Sequence, residues 1–265
     1  MPGACLKSAL HRPPLLLKAP FSKYPERQIT VASNNTQTKP EPEHRAIKSF
    51  VLRQGRLTKA QQKALDNHWQ DYGIDYAEEE LCFDKLFGNY KEVVIEIGFG
   101  NGESLLQQAI NQPQYNFVGI EVHGPGIGHL IHHAYNKAVW NLKVIRFDAI
   151  EVLRHQIADN SLAQVQLFFP DPWHKKRHHK RRIISPDFIR LIHQKLKAGG
   201  LFHMATDWLP YAEQMLEQLD SAEGYTNTAG KGNFSTYKGA RCETKFERRG
   251  VKLGHGVWDL IYQKQ

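Results

Sequence analysis

The stretch Leu167–Arg182, LFFPDPWHKKRHHKRR, sets a single carboxylate at the mouth of a block of cations. Asp171 lies between Pro170 and Pro172, whose fixed φ angles stiffen the turn around it. Lys175, Lys176, Arg177, Lys180, Arg181 and Arg182 follow, interleaved with His174, His178 and His179. The apolar run before the turn ends in Phe168 and Phe169, so the acid stands just past a strand. This arrangement suits a site that holds a polyanion and does chemistry beside Asp171. A solvated turn followed by a basic helical face is the plainer reading of a Lys/Arg run taken alone.

Three other places carry residues of similar kind. Gly98-Phe99-Gly100-Asn101-Gly102 follows the apolar run VVIEI (93–97), and its glycines allow close backbone approach to a ligand. The spacing is GxGxG, which differs from the dinucleotide pattern GxGxxG, and no GxxxxGK[ST] phosphate loop occurs. Glu121 and Asp148 stand at the ends of two further apolar runs, 116–122 and 142–147, with Glu96 near the end of the first. A strand-end carboxylate can accept hydrogen bonds from ribose hydroxyls. Acids recurring at strand ends, beside a glycine turn without a phosphate cradle, describe a pocket for an adenosyl group lacking phosphate. S-adenosylmethionine, with a sulfonium and an ammonium, is such a group. His129 and His133, like His174 and His178, have helical i,i+4 spacing, but no carboxylate sits at a matching offset on the first helix and the second pair lies in the basic block, so no metal site is assigned.

The elements that must position these residues alternate along the chain. Thr58 caps a helix over 58–69. Strands are predicted at 93–97, 116–122, 142–147, 162–169, 201–206 and 257–262. Helices are predicted at 103–110, from Pro125 to 139, from Ser185-Pro186 to 197 with a stop at Gly199-Gly200, and at 208–219. The pattern implies an α/β fold with a doubly wound, mostly parallel sheet. Ligands in such sheets bind at the carboxyl ends of the strands.

Composition sets bounds on this reading. The chain has 265 residues, a net charge of +8 and 41% hydrophobic content, enough for one large domain, assigned to 44–265, behind a basic arm and linker over 1–43. The arm's composition also fits an organelle transit peptide. The positive excess is local: six Lys/Arg against one acid in 170–182, and six against Glu26 in 1–40. Local patches point to an oriented polyanion, most simply nucleic acid. Cys5, Cys82 and Cys242 are sparse and odd in number, which argues against a disulfide framework and fits a reducing, cytoplasmic setting. No apolar run approaches a membrane span.

Taken together, EIGFGNG (96–102), GIEVHGPGIG (119–128), FDAIEVL (147–153), the run 165–182, HMATDW (203–208), TKFE (244–247) and GHGVWDL (254–260) resemble the bacterial tRNA (guanine-N7)-methyltransferases, a class I methyltransferase family. The resemblance covers about residues 45–262. It implies a Rossmann-like domain with a seven-stranded sheet that uses S-adenosylmethionine, with no metal, on a guanosine of the tRNA variable loop, as a monomer or homodimer. It implies that Glu96, Gly98, Gly100, Gly102, Glu121 and Asp148 contact the cofactor. Asp171 would touch cofactor or guanine and act in catalysis. Lys175, Asp207, Thr244, Lys245, Phe246 and Glu247 would bind substrate, and Arg177, Lys180, Arg181 and Arg182 would lie along RNA. Gly239–Glu243, GARCE, lacks the proline-containing lead into TKFE associated with relatives. Trp173 stays open between stacking on a base and packing in the core.

Overall fold

Every residue of the run VVIEI is buried, and this leaves it one stable home, a central strand covered on both faces. The computed structural model describes residues 55–239, 241, 247 and 256–265. The arm over 1–43, most of the basic segment 45–56, and Thr244, Lys245 and Phe246 lie outside the described residues.

The strands are β1 (Gly73–Ile74), β2 (Val93–Ile97), β3 (Asn116–Ile120), β4 (Leu142–Ile145), β5 (Leu162–Phe168), β6 (Leu196–Thr206), β7 (Tyr225–Asn227) and β8 (Trp258–Lys264). They form one sheet in the order β1-β4-β3-β2-β5-β6-β8-β7. Pairing is parallel from β1 through β6, and β8 runs antiparallel to both β6 and β7. Against seven strands expected, of which six are placed by residue, the sheet has eight; the two not placed in advance are the short strands β1 and β7 at its edges. The helices are α1 (Lys59–Tyr72), α2 (Phe83–Phe87), α3 (Glu103–Asn111), α4 (Gly124–Asn136), α5 (Ala149–His155), α6 (Pro186–Lys195) and α7 (Leu209–Asp220). None of the described helices is long and apolar enough to cross a membrane.

Residue parity along β2 divides the core. Val93, Ile95 and Ile97 join one cluster with Val152, Ile189, Ile192 and Met215 of α5, α6 and α7. Val94 joins the other, with Leu105, Ile127, Leu130 and Ala64 of α3, α4 and α1. The chain leaves β2 toward β3 and β4, then crosses back to β5 on β2's other side. The switch point therefore lies between the carboxyl ends of β2 and β5, where open sheets of this kind have their ligand crevice.

Local signals set several boundaries. Thr58 forms a full capping box with Gln61, and the Ser185 side chain accepts from Phe188 N–H with Pro186 in the first turn. One boundary differs from expectation. α6 ends at Lys195 and β6 starts at Leu196, ahead of the glycines. Leu162 pairs with Leu196, but Gln164 pairs with Leu201, so the intervening residues bulge out of the ladder, with Gly199 at φ +75°. The glycines serve a bulge inside the strand rather than a helix stop.

Candidate active site

The turn from β2 into α3 is held from two sides. Gly98 N–H donates to Ile120 O at 2.8 Å, and Gly100 N–H donates to Glu121 Oε2 at 2.9 Å. Gly98 and Gly100 have φ of +70° and +59°, and a Cβ added at either would meet nothing within 4 Å. Their backbone thus faces open space rather than protein. Three nearby glycines behave oppositely. A Cβ on Gly126 would lie 2.0 Å from Gly100 O, one on Gly119 would strike the Phe99 ring at 2.6 Å, and one on Gly102 would strike Leu130 at 2.9 Å. They let α4 and β3 close on the turn. His129 Nδ1, 2.9 Å from Asn101 O, adds a further tie from α4.

Three acids meet at an open cavity of about 890 Å³ at the switch point. Glu121, Asp148 and Asp171 line it together, with Gly98, Phe147, Phe169, Trp173 and Lys175. Glu121 Oε1 also accepts from the N–H groups of Val122 and His123 at 2.7 and 3.0 Å, which fixes the carboxylate. Asp148 is the N-cap of α5, its Oδ1 accepting from Ile150 N–H at 2.9 Å. Glu96 does not line the cavity. It is buried within β2, shares parity with Val94, and pairs in register with Gly119 and Gln166. Its Oε2 is buried without a hydrogen-bond partner among the described residues. Burial, with Glu121 adding repulsion, pushes its carboxyl up to about 8.

Asp171 is exposed on the cavity wall, in a turn of unusual backbone geometry. Phe169 and Trp173, two residues to either side, have φ of +52° and +47°. Non-glycine residues adopt this region at a cost, and the cost persists only where surroundings enforce it. Phe169 is held by its N–H to Ala205 O at 2.7 Å. Trp173 is half-buried, its ring under the Arg181 guanidinium at 5.0 Å and met edge-on by His178 at 5.9 Å.

A family profile described as "Putative methyltransferase" matches residues 90–260, which include all three of these acids. The chain is 57% identical over 220 residues to the tRNA (guanine-N(7)-)-methyltransferase of Aeromonas hydrophila subsp. hydrophila, covering 83% of this chain and 93% of that protein. The chain belongs to the tRNA (guanine-N(7)-)-methyltransferase family. The protein of that name from Shewanella baltica (strain OS155) is 52% identical over 237 residues, covering 89% of this chain and 98% of that one. Among solved structures, the 16S rRNA methyltransferase KamB superposes with a TM-score of 0.52 at 16% identity, covering 69% of this chain and 92% of that one, a likeness of fold.

The remaining residues implied by the family are placed in three ways. Lys175 lines the cavity, and Arg177, Lys180 and Arg181 are exposed on a 3-10 helix over Lys176–Arg181. Arg182 departs from expectation. It is only 6% exposed, donates through Nε to Pro172 O at 2.8 Å and through Nη1 to Gln214, and stacks on Tyr211 at 4.6 Å. Its guanidinium braces the Asp171 turn from behind and is not presented to a polyanion. Gly100, Gly102 and Asp207 lie outside the cavity lining, Asp207 exposed just past β6.

Glu247 is also placed differently from a residue that frames a guanosine directly. Its carboxylate is buried, receives Lys238 Nζ at 2.8 Å, and is bound by both terminal nitrogens of Arg241. Arg241, which holds Glu247 there, is a residue that the sequence reading does not single out. The available signal was a cation three positions before TKFE and an acid at its end, a pair able to close the stretch into a loop.

Proposed function

We propose that this chain transfers a methyl group from S-adenosylmethionine to N7 of a guanosine in tRNA, with Asp171 beside the reacting atoms. The observation that carries this is the meeting of Glu121, Asp148 and Asp171 at one cavity, floored by Gly98 and rimmed by Lys175, in a chain of this family.

The residues present suit the cofactor. The bare backbone at Gly98, on the cavity lining, leaves room for a ligand. Glu121 and Asp148, each fixed by backbone N–H groups, keep lone pairs for ribose hydroxyls. When bound, S-adenosylmethionine supplies a methyl group on a sulfonium, which the in-plane lone pair of guanine N7 can take without prior loss of a proton. No strong general base is therefore needed. The protein's work is to align N7 with the methyl group and to place negative charge where positive charge develops on the purine. The Asp171 carboxylate does the second and can accept from a guanine N–H. Lys175, Arg177, Lys180 and Arg181 hold phosphates on the adjoining surface, and the target guanosine is that of the variable loop.

The deciding experiment is methyl transfer from labelled S-adenosylmethionine to bulk tRNA, followed by chain cleavage selective for N7-methylguanosine. Label in tRNA with cleavage at the variable loop supports the reading. Label at another base, or none, overturns it.

A further inference from the structure

One buried side chain joins three parts of the molecule that the reaction needs in register. Arg241 has no exposed side-chain surface. Its Nε and Nη2 donate to Oδ1 and Oδ2 of Asp259 at 3.1 and 2.8 Å, a two-pronged grip on β8. Nη1 and Nη2 donate to the two oxygens of Glu247, the second at 3.2 Å. Its guanidinium carbon lies 5.8 and 5.4 Å from the ring centroids of Phe168 and Phe169, immediately before Pro170-Asp171. Asp259 is fixed in turn by His203 of β6, whose Nε2 is 2.9 Å from Oδ1. Phe168 meets the His203 ring edge-on at 4.9 Å. The lead into Arg241 is equally close, because a Cβ on Gly239 would lie 3.1 Å from His203.

The charges balance within this cluster. Two buried carboxylates, Glu247 and Asp259, face Arg241, and Lys238 closes on Glu247 from the solvent side. Both carboxyls are held below their ordinary range by these cation contacts, which outweigh the cost of burial. A planar fork with five donors can grip two carboxylates at once, and a lysine cannot.

We propose that Arg241 is a positioning residue for methyl transfer: it pins Glu247 to β8 and to the Phe169 side of the Asp171 turn, so the last residue of the TKFE motif and the proposed catalytic acid share one anchor. The inference rests on the proposed function. It adds a role for a residue that touches neither cofactor nor guanine.

The test compares Arg241→Ala, Arg241→Lys and Glu247→Gln with the unmodified chain. It reads kcat and KM for tRNA, cofactor dissociation constant by calorimetry, and Tm. Arg241→Ala should lower kcat about 100-fold at saturating tRNA and cofactor, the scale of a misplaced reacting group. Cofactor affinity should stay at its original value, and Arg241→Lys should recover only a minor part of kcat. Glu247→Gln leaves the grip on Asp259 intact and should lower kcat at temperatures well below its reduced Tm, with cofactor affinity unchanged; it decides the matter alone if Arg241→Ala does not fold. Unchanged kcat with raised KM, loss of cofactor binding in step with Tm, or full recovery by lysine would each overturn the proposal. Absence of methyl transfer by the unmodified chain would instead overturn the functional reading, so the two failures are separable.

Discussion

Gly100 N–H donates to Glu121 Oε2 at 2.9 Å, while Oε1 of the same carboxylate takes Val122 and His123 N–H. The glycine turn and the end of β3 are therefore one hydrogen-bonded unit. Glu121→Gln keeps the shape but sets an amide NH₂ against a backbone N–H whichever way it is turned. Cofactor affinity should fall about tenfold, the scale of one lost hydrogen bond to a charged group. Titration calorimetry reads this directly, and an unchanged dissociation constant would separate Glu121 from the cofactor site.

Asp171 stands exposed at the cavity, on the same wall as Lys175. In the proposed mechanism there is no proton to remove, and the role assigned to Asp171 is charge stabilisation at the transition state. Asp171→Ala should lower kcat about 100-fold, as for loss of one preorganised electrostatic partner, with tRNA affinity unchanged. Single-turnover kinetics with separately measured tRNA binding distinguish the two, and near-normal turnover would remove Asp171 from the chemistry.

The basic segment divides into exposed and buried arginines. Replacing Lys175, Arg177 and Arg181 together by alanine should weaken tRNA binding and reduce the slope of log affinity against log salt by about two, since each phosphate no longer neutralised removes roughly 0.7–0.9 from it. Arg182→Ala should leave that slope alone. It strips donors from Pro172 O and Gln214, and should cost about 2 kcal/mol of stability in denaturant unfolding.

Glu96 gives a pH signature. Its folded carboxyl is raised from 4.5 to about 8, so the folded state holds a proton that the unfolded chain has released. That contribution to stability is complete below the unfolded value and is lost as pH rises through the folded one. The ligand-free chain should therefore lose stability between about 4.5 and about 8. Glu96→Gln should flatten this slope and raise Tm at the alkaline end by about 5 °C. Parallel pH profiles of both proteins would contradict this.

How far the chain could be read in advance depended on whether a signal was local. Strands such as 93–97 are wholly buried, so hydrophobicity alone marks them. Thr58 and Ser185 cap through their own side chains, three residues from their partners. The bulge at 197–200 depends on pairing with β5 and leaves no local mark. Arg182 looks like its neighbours in a charge run, and only Gln214 and Tyr211, about 30 residues on, draw it inward. Glu96 is named by its motif as a pocket acid, yet the parity of β2 sets it beneath the rim. The Arg241–Asp259 pair spans 18 residues and depends on β8 lying beside β6, which periodicity cannot foresee.

Two kinds of glycine at the β2–α3 turn face different evolutionary prospects. Loss of Gly119 is a quarrel between parts of the same chain, open to suppressor substitutions at Phe99 or Leu105 that make way for the new methyl group. Loss of Gly98 or Gly100 has no such remedy, because their φ of +70° and +59° strains any other residue and no neighbouring side chain is the cause. A deep mutational scan with suppressor selection would sort these positions into rescuable and irredeemable sets.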